Sequence, residues 1–129
     1  MPRHPAPLKV FLADDSALVR GRVAALLDAG GMAVVGQAGT PQSSIAGILD
    51  AQPDVVVLDV QLEGGTGLEV LKAVRSADPG VAFVVFSNNA AAAYRKRYLR
   101  EGAAQFLDKS TEFDQLAEAV AKAGRRAVH

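Results

Sequence analysis

The chain has 129 residues, no cysteine and a formal net charge of zero, with 14 Lys+Arg against 14 Asp+Glu. This length suits one domain that buries its core without covalent staples, and the missing thiols exclude a disulfide framework and a thiolate metal centre. Balanced charge supplies no global basic field for direct nucleic-acid binding, and the longest apolar runs, 55–58 and 81–86, are too short to insert across a membrane.

The start, Met1-Pro2-Arg3-His4-Pro5-Ala6-Pro7, is Pro-rich and lacks the apolar core of a signal peptide. The expected organisation is a disordered tail over 1–7, one cytoplasmic domain over 8–126 and a short tail over 127–129.

Short apolar runs alternate with segments of helical period. Leu8–Ala13 reads as a strand that stops at Asp14-Asp15; Asp15 or Ser16 then caps a helix whose apolar residues Leu18, Val19, Val23, Leu26 and Leu27 repeat every 3.6 residues. Gly30-Gly31 ends that helix and Met32–Ala38 forms a second strand. Thr40-Pro41 opens a second helix, with Ile45, Ile48 and Leu49 inward and Pro53 as the stop. Asp54–Asp59 contains an unbroken run, Val55-Val56-Val57-Leu58, which implies a strand buried on both faces.

Gly64-Gly65-Thr66-Gly67 leads into a third helix carrying Leu68, Val70, Leu71 and Val74, which stops at Asp78-Pro79-Gly80. Val81–Phe86 is a fourth strand that ends at Ser87, and Ala90–Glu101 a fourth helix that Gly102 closes. Ala104–Leu107 is a fifth strand, and a last helix begins near Thr111 with Phe113, Leu116 and Val120 on one face. Five β-α units give a doubly wound α/β fold, a five-stranded parallel sheet with helices on both faces. Such sheets bind ligands beyond the carboxyl ends of their strands. Those ends carry Asp14-Asp15, Asp59, Ser87 and, just past the fifth strand, Lys109.

The stretches Val10–Ser16, Val55–Val60 with Gly65–Leu68 after it, Val85–Ser87 and Gly102–Lys109 together resemble the receiver domain of two-component response regulators, of flavodoxin-like fold, over nearly the whole chain. The resemblance implies that Asp59 is the phosphoacceptor nucleophile, that Asp14, Asp15 and Asp59 hold Mg²⁺ directly or through water, and that Lys109 and Ser87 contact the phosphoryl oxygens. It makes Ser87 and Phe106 a switch pair, the ring turning inward as the hydroxyl moves. Gln61 and Asn89 fall at rim positions that tune phosphoryl lifetime; with amides at both, no carboxylate orients water, which implies a long-lived phosphoryl group. Asn88 replaces the usual small residue after Ser87 and narrows access, or turns its amide to solvent. Ser110 stands where many relatives carry proline after the lysine, which leaves the preceding peptide bond trans or undetermined.

His4 and His129 are the only histidines and both are terminal, so the phosphodonor is expected to be a separate sensor histidine kinase, a histidine phosphotransfer protein or a small phosphodonor. The chain is expected to act as a signalling protein rather than an enzyme, either stand-alone, the favoured reading, or a receiver excised from a larger regulator, monomeric or dimerising on phosphorylation, with a protein partner at the face of the fourth helix, fifth strand and fifth helix. In the fourth helix Arg95, Lys96, Arg97 and Arg100, with Tyr94 and Tyr98 packed edgewise, read first as a solvated basic face and otherwise as that partner surface. A flavin- or nucleotide-binding module needs a phosphate-binding first loop, which Asp14-Asp15 opposes, and Gly64–Gly67 lacks the Lys-Ser/Thr pair of a P-loop. An aspartyl-phosphate phosphatase carries its nucleophile on the first strand, not the third. A receiver that only binds proteins would not need the full acidic set.

Overall fold

The computed structural model describes residues 6–127. Its five main strands are β1 (Lys9–Ala13), β2 (Ala33–Ala38), β3 (Val55–Leu58), β4 (Ala82–Ser87) and β5 (Gln105–Asp108), all parallel in the order β2-β1-β3-β4-β5. The helices are α1 (Ala17–Ala29), α2 (Pro41–Ala51), α3 (Gly67–Ala77), α4 (Ala92–Arg100) and α5 (Leu116–Ala127). The expected doubly wound flavodoxin-like sheet is therefore present, with the strand order of that fold.

Alternation along each strand sorts the core into two layers. Phe11, Ala13, Val56, Leu58, Phe83, Val85 and Phe106 face Ile48 of α2, Val70, Leu71 and Val74 of α3, and Tyr98 of α4. Val10, Leu12, Val55, Val57, Val84, Phe86 and Leu107 face Val23 and Leu27 of α1 and Leu116 and Val120 of α5. Each fully buried aliphatic or aromatic side chain contributes about 1.5–3 kcal/mol. The sheet centre, coated on both faces, is the most firmly held part of the molecule.

Register places the site. Ala13 pairs with Leu58, Leu58 with Val85 and Val85 with Phe106, so four strands are aligned at their carboxyl ends. The next residues along the chain, Asp14 and Asp59, emerge side by side. Ser87 pairs with Asp108, which puts Lys109 one step beyond it.

Three expectations need correction, and one short ladder is added. Leu18 is 74% exposed and Leu49 40%, because a helical period shows where apolar residues fall and not which one a helix leaves outside its buried stripe. Tyr98 is a core residue, 2% exposed, and not an edgewise surface tyrosine. The last helix begins at Leu116; Phe113–Gln115 is a 3-10 turn, as Glu112 N–H and Thr111 N–H fold back onto the Asp108 carbonyl. Gln61–Leu62 and Gly65–Thr66 form a two-residue antiparallel ladder around Gly64, whose φ of 81° admits the turn.

The cap choice at α1 falls to Ser16, whose hydroxyl accepts from Val19 N–H. Thr40 and Ser43 make a reciprocal capping box at α2, with Pro41 in its first turn. Of the expected tail over 1–7, only Ala6 and Pro7 are described, without regular structure; His4, the rest of that tail, and Val128 and His129 lie outside the described residues. No described helix is long and apolar enough to cross a membrane.

Candidate phosphoacceptor site

Asp14 and Asp59 are anchored through their backbones before their side chains act. Asp14 N–H donates to the Ala38 carbonyl at 3.0 Å and Asp59 N–H to that of Ala13 at 2.9 Å. Gly67 N–H donates to the Val60 carbonyl at 2.8 Å, and the chain passes so close that a Cβ at Gly67 would lie 2.1 Å from the Asp59 carbonyl oxygen. Only glycine fits there, which is why the loop after β3 carries it.

Lys109 Nζ lies 2.6 Å from Asp14 Oδ2 and 2.9 Å from Asp59 Oδ2. The remaining oxygens accept from backbone: Asp14 Oδ1 from Ser16 N–H at 2.9 Å and Asp59 Oδ1 from Val60 N–H at 2.7 Å. Asp14, Asp59 and Ser87 are buried, while Asp15 is exposed. Burial, the largest single influence on Lys109, pulls its pKa down; the hydrogen bonds and charges of Asp14 and Asp59 together outweigh it, and the ammonium is held above its ordinary range.

One carboxylate oxygen from each of Asp14, Asp15 and Asp59 lies within 4.8 Å of the others. Three carboxylates against the Lys109 ammonium leave two negative charges uncompensated among these four groups. An all-oxygen, doubly negative set beside an open cleft suits a hard divalent cation that keeps part of its water, as Mg²⁺ does.

The cleft, about 430 Å³, is lined by Asp15, Asp59, Gln61, Ser87, Asn88 and Lys109, with Ser16, Val19 and Asn89 completing it. Every residue expected at the site or its rim except Asp14 and Phe106 therefore borders one cavity. Asp14 lies against Lys109 below it. Gln61, Asn88 and Asn89 are exposed at the rim. Ser87 Oγ accepts from Asn89 N–H at 3.0 Å, leaving its own proton available as a donor.

Phe106 is buried. Its ring meets Tyr98 edge-on at 6.0 Å, and the Arg95 guanidinium lies 5.1 Å from its centroid.

Three contributors escape a reading of motifs. Arg20 of α1 reaches back to donate to the Asp14 carbonyl at 2.5 Å and to Gln37 Oε1 at 3.2 Å, tying the acidic turn to β2. Asp108 Oδ1 accepts from Ser110 N–H at 2.8 Å and Ser110 Oγ at 2.6 Å, and so shapes the turn that presents Lys109. These hydrogen bonds from Ser110, side chain first, hold the Asp108 carboxyl below its ordinary range. The peptide bond before Ser110 is trans. Asp108-x-Ser110 has the spacing of an Asx-type turn, the one signal that could have marked it. Arg95 is the third.

Comparison with known proteins identifies the family. The family model for the response regulator receiver domain matches residues 10–121. The transcriptional regulatory protein DesR of Bacillus subtilis is 29% identical over 88% of this chain and 56% of its own length. The response regulator GacA of Pseudomonas syringae is 31% identical over 88% of this chain and 53% of its own. The chain thus spans about half the length of these curated relatives. Among solved structures, the receiver domain of the response regulator NarL from Mycobacterium tuberculosis is 30% identical with a TM-score of 0.87, covering 94% of this chain and 98% of that one. The response regulator domain of Thermotoga maritima CheB is 28% identical with a TM-score of 0.80, over 94% and 96%. The chain belongs to the receiver domains of two-component response regulators.

Proposed function

We propose that Asp59 accepts a phosphoryl group in a Mg²⁺-dependent reaction and that the domain signals by altering its α4-β5-α5 face. The observation that carries this reading is the convergence of Asp14, Asp15, Asp59 and Lys109 Nζ in one cluster, three of them lining the cleft. A carboxylate oxygen of Asp59 forms the new bond to phosphorus as the bond to the donor breaks, giving an acyl phosphate. With a phosphohistidine donor, the imidazole nitrogen leaves and takes up a proton. Lys109 follows the charge from Asp59 onto the transferring oxygens. Ser87 donates its hydroxyl proton to one of them while keeping the Asn89 N–H bond.

Asp14, Asp15 and Asp59 would hold Mg²⁺, which supplies neutralising charge for the incoming phosphoryl group. The donor is a sensor histidine kinase or histidine phosphotransfer protein, and the output is a protein contact, with the domain monomeric or dimerising on phosphorylation. Ser87 and Phe106 form the switch pair. Gln61, Asn88 and Asn89 set access and lifetime, with the rim amides favouring a slowly lost phosphoryl group.

Beryllofluoride with Mg²⁺, followed by amide NMR, tests the reading. Saturable shifts around Asp59, Ser87 and Lys109 that vanish in Asp59→Asn are expected. An indifferent wild type, or an equal response in the variant, would overturn it.

A further inference from the structure

We propose that Arg95 and Glu112 form a coupling pair that ties α4 to the turn presenting Lys109, so that a change at one is felt at the other. This inference rests on the phosphoacceptor reading for its functional consequence. Arg95 Nη1 donates to the Phe106 carbonyl at 2.7 Å, its guanidinium covers the Phe106 ring, and Nη2 lies 3.9 Å from Glu112 Oε1. That same Glu112 oxygen accepts from Asp108 N–H at 2.9 Å, one residue before Lys109. Arg95 thus holds β5 directly at Phe106, and through Glu112 it meets the strand again at Asp108.

The rest of α4 is sparsely attached, which gives this contact its leverage. No side chain caps its N-terminus at Ala91, and Tyr98 is its only buried residue. Lys109, in turn, is positioned by its own N–H on the Ser87 carbonyl at 3.1 Å and by the folded Asp108–Glu112 turn. A partner that drew the Arg95 guanidinium away would remove the charge facing Glu112 and loosen the cap on Asp108. Linkage requires the reverse effect as well: whatever fixes Lys109 on a phosphoryl group biases how firmly Arg95 holds α4.

The test uses the whole chain with Arg95→Met, which keeps aliphatic bulk over Phe106, with Glu112→Gln, and with both. Asp108 amide exchange, measured without any phosphoryl mimic, is expected to accelerate about fivefold in Arg95→Met, and beryllofluoride affinity to fall by a similar factor. Mg²⁺ affinity alone stays unchanged, and the double variant is no weaker than the worse single one, as for two members of one contact.

Unchanged Asp108 exchange, additive losses, or a parallel fall in Mg²⁺ affinity would overturn the coupling. If the wild type ignores beryllofluoride, the phosphoacceptor reading fails, and the Asp108 exchange still decides whether Arg95 holds the turn.

Discussion

The acidic end of β1 and β3 and the edge made by α4 and β5 are built on different terms. Asp14 and Asp59 extend from adjacent central strands covered on both faces, with backbone bonds to Ala38 and Ala13 fixing where each side chain starts. At the edge, α4 has an uncapped start and one buried side chain, and it is held by Arg95 on the backbone and ring of Phe106. The first arrangement suits chemistry, which needs carboxylates and ammonium in place before the substrate arrives. The second suits response, because a weakly held element can be shifted by a few hydrogen bonds. Lys109 touches both: it pairs with the acids, and its turn is the one that Arg95 reaches through Glu112.

Breaking the chemical half is expected to give the largest effect. Lys109→Ala should slow phosphorylation by acetyl phosphate by about a hundredfold, the scale of losing one charge-stabilising donor. Mg²⁺ binding, followed by calorimetry, should persist or tighten, because Asp14 and Asp59 lose the cation that now shares them. An unchanged rate would detach Lys109 from the transfer.

Gly67→Ala probes the rigidity of the same half. With its Cβ 2.1 Å from the Asp59 carbonyl oxygen, the loop after β3 must move. The expected destabilisation in urea is about 1–3 kcal/mol. On the other half, Lys96→Ala on the exposed side of α4 should stay within about 0.5 kcal/mol. Equal costs would erase the contrast.

Tyr98 gives a smaller, pH-resolved effect. Burial pushes its phenol up to about 12, against a weaker opposing hydrogen bond from the Leu68 backbone. The folded state therefore holds the proton more tightly than the unfolded one, whose tyrosine titrates at about 10. The resulting stability is complete below that lower value and is lost as pH rises through the higher one. Alkaline unfolding of wild type against Tyr98→Phe should diverge in that window. In a Tyr94→Phe chain, phenolate absorbance should appear only towards the upper end; its appearance near pH 10 would place Tyr98 in water.

What could be read from the amino acids divides along the same line. The valine run before Asp59, the Asp-Asp pair before a capped helix and Lys109 after a short strand are local patterns, and parallel-sheet topology carries them to one rim. The burial of Tyr98 is not legible, because a helix as basic as α4 gives little periodic indication of its single buried residue. The start of α5 is hidden too: Phe113 has helical spacing to Leu116, while the fold-back onto Asp108 depends on a turn that the spacing does not encode. The Arg95–Phe106–Glu112 contact joins a helix, a strand and a turn across a loop, and no repeat in the chain marks it.

The most direct test of the central claim is intact-mass measurement after incubation with acetyl phosphate and Mg²⁺. One added phosphoryl group on the wild type, none without Mg²⁺ and none on Asp59→Asn is the predicted result. Equal labelling of wild type and Asp59→Asn, or none on either, would contradict the assignment of Asp59 as the phosphoacceptor.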